Sequence, residues 1–516
     1  MDKARYNNEK EANRVKKTMR LLLASLLLMA AICMFSCGND DGDATRGSED
    51  NAAGGSDAQQ SEPEIKDSLP EGLEFGGIAI NLLIPGGEVN QVTMDEFYAE
   101  SDTGDIINDA VYRRNMAVEE RLNLKLNVIC GPDLHHWDEM NKMIRTSILA
   151  NDDAYQLIAG WSARAPALAL DGLFLDLKTL SYLNLSEPWW TQSITEELTL
   201  GGKLHFAAGD MTTSMIASCS VIFFNKKLQQ DYTVPDLYQI VLDGKWTLDY
   251  MDGLSRGISS DLNGDGIMDE NDLYGAAYTT LNVVDGFLQS SNIKMTRNDD
   301  RGMPYLDMEY EKIGVLIDKA YTLLYENPGA YTLQGDNFEN LVCKQFDMFK
   351  NDQVLLLPQV LLPNFIGQLR DMKSDYGIIP YPKFDEFQEK YLSRIWDIVS
   401  LMCVPLNCGA PDAVGALMEA MGSESYRNLT PVYYETALKI KYSRDSISSQ
   451  MIDIIREGAY LNFASIYNES IEYPWFCMRD LMTNKRNNFS SWHEKNEPRI
   501  AKRINSVIEK YLDSET

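Results

Sequence analysis

Apolar residues alternate with polar ones at Ile78, Ile80, Leu82 and Ile84, recur at helical spacing through 108–121, and alternate again at Leu124, Leu126 and Val128. The outer segments therefore predict strands and the middle one an amphipathic helix between them. A second helical pattern over 137–150 and a third strand over 155–159 extend the unit, so residues 76–160 predict the start of a parallel α/β sheet. Right-handed crossovers would bring the loops after these strands to one sheet edge, the edge at which ligands of such sheets bind. Further on, residues 246–258 predict a helix with Thr247 as its N-cap. Residues 375–383, with alternating apolar positions and two prolines, predict a stiff extended connector.

The N-terminus follows a different pattern. Lys16, Lys17 and Arg20 precede an apolar run over 21–35 that is too short for a membrane span, which predicts a signal peptide over residues 1–36. Ser36-Cys37 closes the run and resembles the lipobox of bacterial lipoproteins, which implies that Cys37 is acylated and becomes the mature N-terminus. The following stretch is Asp, Glu, Gly, Ser, Ala and Gln with almost no large apolar residue, so residues 37–72 are expected to be a disordered tether. Some thirty such residues reach on the order of 30 Å, enough to hold a folded body near a membrane.

The formal charge is −30, and removal of residues 1–36, with seven Lys/Arg and three Asp/Glu, takes it to −34. Such acidity repels polyphosphate backbones and excludes a nucleic-acid partner, leaving a neutral or cationic ligand easier to hold than a polyanion. Beyond Cys37 the cysteines are scattered without a C-x-x-C and fall mostly in apolar segments, which predicts buried free thiols.

Residues 261–272 read DLNGDGIMDEND and fit D-x-[DN]-x-[DN]-G with a carboxylate at position twelve. Asp261, Asn263, Asp265 and Asp269 would supply side-chain oxygens to a calcium ion (Ca2+), Ile267 its carbonyl, and Gly266 the turn. Asp272, shorter than the usual bidentate Glu, suits a structural extracellular site, and a single loop lacks the pairing of a calcium sensor.

The order GKWT, amphipathic helix, DxNGDGxxD, YG from Gly244 onward resembles a segment of the family 1 extracellular solute-binding proteins, which capture sugars and oligosaccharides for ABC importers. YQLIAGWSARAPALALDGLFLDL from Tyr155 resembles their strand, turn and helix, and GKLHF with FFNK around Gly209-Asp210 resembles their first passage between lobes. Residues 376–382 resemble their second passage. The resemblance implies a two-lobed α/β periplasmic-binding-protein-like fold (type II) with a hinge and a central cleft. One lobe would take 73–208 and 383–425, the other 209–382 and 426–516. It places Trp161 and Arg164 at the cleft, Asp210 at the hinge and cleft floor, and Trp396 and Asp397 just beyond the second passage. Consecutive side chains point apart, so at most one of Trp189 and Trp190 would face the ligand, with Tyr433 in the helical remainder. The expected function is that of a monomeric, lipid-anchored extracytoplasmic protein delivering a sugar or oligosaccharide to an ABC permease.

The alternatives are a surface glycan-binding lipoprotein acting as adhesin or sensor, and a glycoside hydrolase, whose paired carboxylates leave no trace in sequence. Gly253-x-Ser255-x-Gly257 matches the hydrolase string G-x-S-x-G, but a nucleophile elbow needs a strand before the Ser and this segment predicts a helix. The chain carries no H-E-x-x-H, Walker A or Rossmann glycine pattern.

Overall fold

The computed structural model describes residues 65–514 except 88–94, 134–135, 281–282, 336, 363–366 and 435–445. Cys37, the signal segment and nearly all of the tether lie outside the described residues. Ile65–Thr516 forms one compact unit.

Strand β1 (Ile78–Ile84) pairs in parallel with β2 (Leu124–Cys130) on one side and β3 (Leu157–Trp161) on the other. The side-chain alternation of β1 sends Ile80, Leu82 and Ile84 into one apolar cluster and Leu83 into another, because helices cover both faces. Burying each such side chain contributes about 1.5–3 kcal/mol. Ile78, expected on the same buried face, is exposed at the strand's start.

Helix α1 (Ile106–Leu122) begins where Asp105 accepts the backbone N–H of Ile107 and Asn108, and ends at Asn123 with φ of 45°. Helix α2 (Trp137–Ala150) buries Trp137, Met140, Ile144 and Ile148 at helical spacing.

A second sheet is built from β4 (Ser220–Asn225), β5 (Leu273–Thr279), β6 (Ala330–Leu333), β7 (Val354–Val360) and β8 (Tyr376–Pro380), in the order β6-β5-β7-β4-β8, with the short strand Ser259–Ser260 beside β5. β4 runs antiparallel to both neighbours. The expected connector over 375–383 is thus mostly a strand, tolerating proline because it lies at the sheet's edge. The chain then returns to the first sheet, where β9 (Ser400–Cys403) adds antiparallel to β3 and gives the order β9-β3-β1-β2.

The two passages between the sheets run side by side. Ala207 pairs with Met402 and Cys219 with Ile395, and Trp396 donates its N–H to the Ser218 carbonyl at 2.9 Å. In the C-terminal part, α6 (Ser446–Glu457) packs on β8, α7 (Cys477–Thr483) on the helix Val283–Ser290 and α8 (Phe489–Ser514) on the strand Pro304–Leu306, while Tyr511 reaches back to His205 at 3.0 Å. Between the two passages, α3 (Leu248–Arg256) precedes β5 and α4 (Val283–Ser290) follows it; beyond the second passage, α5 (Pro411–Glu424) covers the first sheet. Among the described residues no helix is long and apolar enough to cross a membrane, and no disulfide forms, with Cys219, Cys403 and Cys477 buried as thiols.

Candidate functional site

The carboxyl end of β3 opens the site. Gly160 lacks the Cβ that would strike Ala165, so the chain folds back at once and Trp161 accepts the N–H of Arg164 and Ala165 on its carbonyl. The Trp161 ring stands edge-on to Trp137, with centroids 5.2 Å apart. Opposite it come Asn468, Glu469, Tyr473 and Trp475 from the C-terminal helical part, with Arg394 and Asp397 from the second passage, around a cavity of ≈160 Å³.

Three features of this cavity point to a ligand. The indole N–H groups of Trp161 and Trp475, two residues of the lining, are buried without a partner among the described residues, a costly condition. Asp397 lines the same space. Tyr473 is 46% exposed although it belongs to the lining, so an aromatic face stays open.

Tyr473 is held there against local preference. Glu472 and Tyr473 have φ of 70° and 60°, a left-handed pair that costs on the order of 1–3 kcal/mol per residue and persists only where the surroundings over-determine it. They do so through a stack: Tyr473 lies on Phe476 with rings 16° apart, and Arg479 lies over the Phe476 ring at 3.9 Å. Arg479 is paired with the fully buried Asp285 of α4, which Arg394 also approaches at 3.6 Å. Arg164 pairs with Glu469 across the cavity mouth.

The other residues singled out from sequence fall elsewhere. Trp189 and Trp190 are both packed in the core, where the Trp190 indole donates to Glu419 at 3.2 Å, so neither presents an open ring face. Asp210 lies at the first passage, buried, accepting the Thr430 hydroxyl at 2.8 Å and Arg456 at 3.3 Å. Trp396 and Tyr433 pack with Ala217, Val360 and Leu362 in a small apolar cluster and do not line the cavity. Ser255 of the G-x-S-x-G string is buried in α3 and donates its hydroxyl to the Met251 carbonyl, one turn back.

In the 261–272 loop, Gly264 and Gly266 take φ of 75° and 78°, the winding that the calcium pattern demands at its sixth position. Asp261 accepts the N–H of Gly264 and Gly266, Asn263 that of Asp265, Asp265 that of Ile267, and Asp269 that of Asn271. Buried Asp272 accepts from Leu262 and Asp269, closing the loop. The oxygen donors and the backbone winding fit a hard cation, whereas the side chains here serve the loop's own N–H groups. Among the described residues no three His, Cys, Asp or Glu side chains are grouped to share one metal.

Sequence reasoning missed a carboxyl between the passages. Glu96 is fully buried and accepts the N–H of Ser214 at 2.9 Å, while Arg114, also buried, donates to the Glu96 carbonyl at 2.6 Å and to that of Met211. Burial pushes the Glu96 carboxyl up to about 8, Glu419 up to about 7, and Asp210 up to about 6 against the opposing pull of Arg456.

No family model and no curated protein matches the chain. Among solved structures it is similar to a cyclo/maltodextrin-binding protein complexed with maltotetraose, with 11% identity, coverage of 84% of this chain and 96% of that one, and a TM-score of 0.52. It is also similar to UspC of M. tuberculosis, with 12% identity, coverage of 83% and 100%, and a TM-score of 0.51. The fold is that of the two-lobed periplasmic binding proteins. In that fold the cavity beside Trp161 occupies the carboxyl edge of the first lobe's sheet, facing the helices that cover the second.

The three raised carboxyls set a pH dependence. Each keeps its proton in the folded chain at pH values where the unfolded chain has released it, so the contribution of these three groups to stability is full below about pH 4 and is lost as pH rises through the folded values. Urea unfolding should therefore show lower stability at pH 8 than at pH 5, with a slope of about 1.4 kcal/mol per pH unit for each group that stays protonated. Glu96→Gln should flatten the profile between about pH 5 and 8; an unchanged slope would mean that Glu96 is ionised in the folded protein.

Proposed function

We propose that the protein is an extracytoplasmic solute-binding lipoprotein that captures a carbohydrate, of oligosaccharide type, between its lobes and presents it to an ABC permease. The observation that carries this reading is the open face of Tyr473 and the carboxylate of Asp397 in one cavity with Trp161 and Trp475, two lining residues whose buried indole N–H groups have no partner among the described residues. A sugar ring offers apolar C–H faces to an aromatic ring and hydroxyls to the N–H groups and the carboxylate. No chemistry on the ligand is required. The solved neighbour that holds maltotetraose supports the same ligand class. Membership of the family 1 solute-binding proteins, anchoring through acylated Cys37, a monomeric state and the lobe boundaries at 208, 382 and 425 are parts of this proposal.

The Arg164–Glu469 pair is partly exposed on both sides and worth only about 0.2–1 kcal/mol, so ligand hydroxyls can compete for it. With a ligand found by thermal-shift screening of mono- and oligosaccharides, calorimetry should show Tyr473→Ala and Trp161→Ala binding about 5- to 150-fold more weakly, or 1–3 kcal/mol. Unchanged affinity together with a large loss of melting temperature would reduce both to packing residues.

Calcium in the 261–272 loop is proposed as a structural ion, held by Asp261, Asn263, Asp265, Asp269 and Asp272 with the Ile267 carbonyl. Binding only to the folded state stabilises it by RT ln(1 + [L]/Kd), so millimolar calcium should raise the melting temperature and EDTA lower it. Identical melting curves in both, with metal-free protein by elemental analysis, would remove the ion from the account.

A further inference from the structure

A second cavity, of ≈540 Å³, lies against the first passage and shares no lining residue with the one beside Trp161. A hollow of ≈340 Å³ adjoins it through Tyr426, Asp453 and Arg456, so the two follow one face of α6.

Charge decides what this space can hold. Asp453 and Glu457 stand four residues apart on α6, where like charges repel, and both are exposed. Neither is ion-paired or hydrogen-bonded among the described residues. Arg456 is held by Asp210 at 3.3 Å and lies over the Tyr434 ring at 5.3 Å. Asp210 itself is only 8% exposed and lines the cavity. One cation therefore faces three carboxylates, and an anion would meet two uncompensated negative charges. Trp189 and Trp190 are buried, so neither offers an open indole face here. Tyr434, which lines the adjoining hollow, has a buried hydroxyl without a partner among the described residues.

We propose that this cavity is a second ligand site, for a small organic cation bearing two amino groups or an amine and a guanidinium, gripped by Asp453 and Glu457 beside Asp210. Its occupant would bridge the first passage and α6 and so bear on the hinge. The proposal is independent of the sugar reading.

Calorimetry with putrescine at physiological ionic strength, and with butanediol as a neutral analogue of equal length, tests it. One saturable putrescine site and no butanediol binding are expected. The double variant Asp453→Asn, Glu457→Gln should bind putrescine at least about tenfold more weakly while melting like the parent, because both residues are exposed on the helix. Tyr473→Ala should leave putrescine binding as in the parent. No saturable putrescine binding, equal affinity in the double variant, equal binding of butanediol, or loss of putrescine binding in Tyr473→Ala would each overturn the proposal.

Discussion

The structure depends on two chain passages that lie side by side. β3 and β9 belong to one sheet and β4 and β8 to the other, so the passages leading out at 207–219 and back at 395–402 must start and finish next to each other. Their pairing is sparse, with Ala207 on Met402, Cys219 on Ile395 and the Trp396 N–H on the Ser218 carbonyl. A sparse ladder leaves each sheet a rigid body with its own covering helices and puts the freedom between them, the condition for a hinge. Both cavities touch these passages, one the outgoing passage through Asp210 and the other the returning one through Asp397.

Rigid and yielding interactions are divided accordingly. The aromatic column Tyr473–Phe476–Arg479 ends on the fully buried Asp285, whose charge would lose a partner if Arg479 moved away. Arg164 with Glu469, Lys294 with Glu197 at 3.1 Å and Lys510 with Asp171 are, by contrast, partly exposed pairs of small net worth. A preformed platform facing an easily opened mouth suits capture and release of a polar solute.

Much of the first sheet was legible, because period-two and helical patterns report burial directly, and β1, α1, β2 and α2 stand where those patterns put them. Burial that depends on distant partners was not. Arg114 sits on the buried face of α1 because carbonyls of Glu96 and Met211, remote in sequence, receive it. The strand character of Tyr376–Pro380 likewise depends on a partner some 150 residues earlier. Of the residues singled out for the ligand, Trp161, Arg164 and Asp397 converge on one cavity, Trp189, Trp190 and Asp210 border the other, and Trp396 and Tyr433 pack together. Tyr473 was hidden because nothing in Glu-Tyr favours the left-handed backbone that aims its ring.

The most direct test of the account is a crystal structure of the protein with its sugar bound. The account predicts a ring stacked on Tyr473, with hydroxyls accepting from the Trp161 and Trp475 indoles and the Arg164–Glu469 pair parted or reoriented around it. Sugar density in any other place, with both indoles still unpartnered and Tyr473 bare, would contradict it.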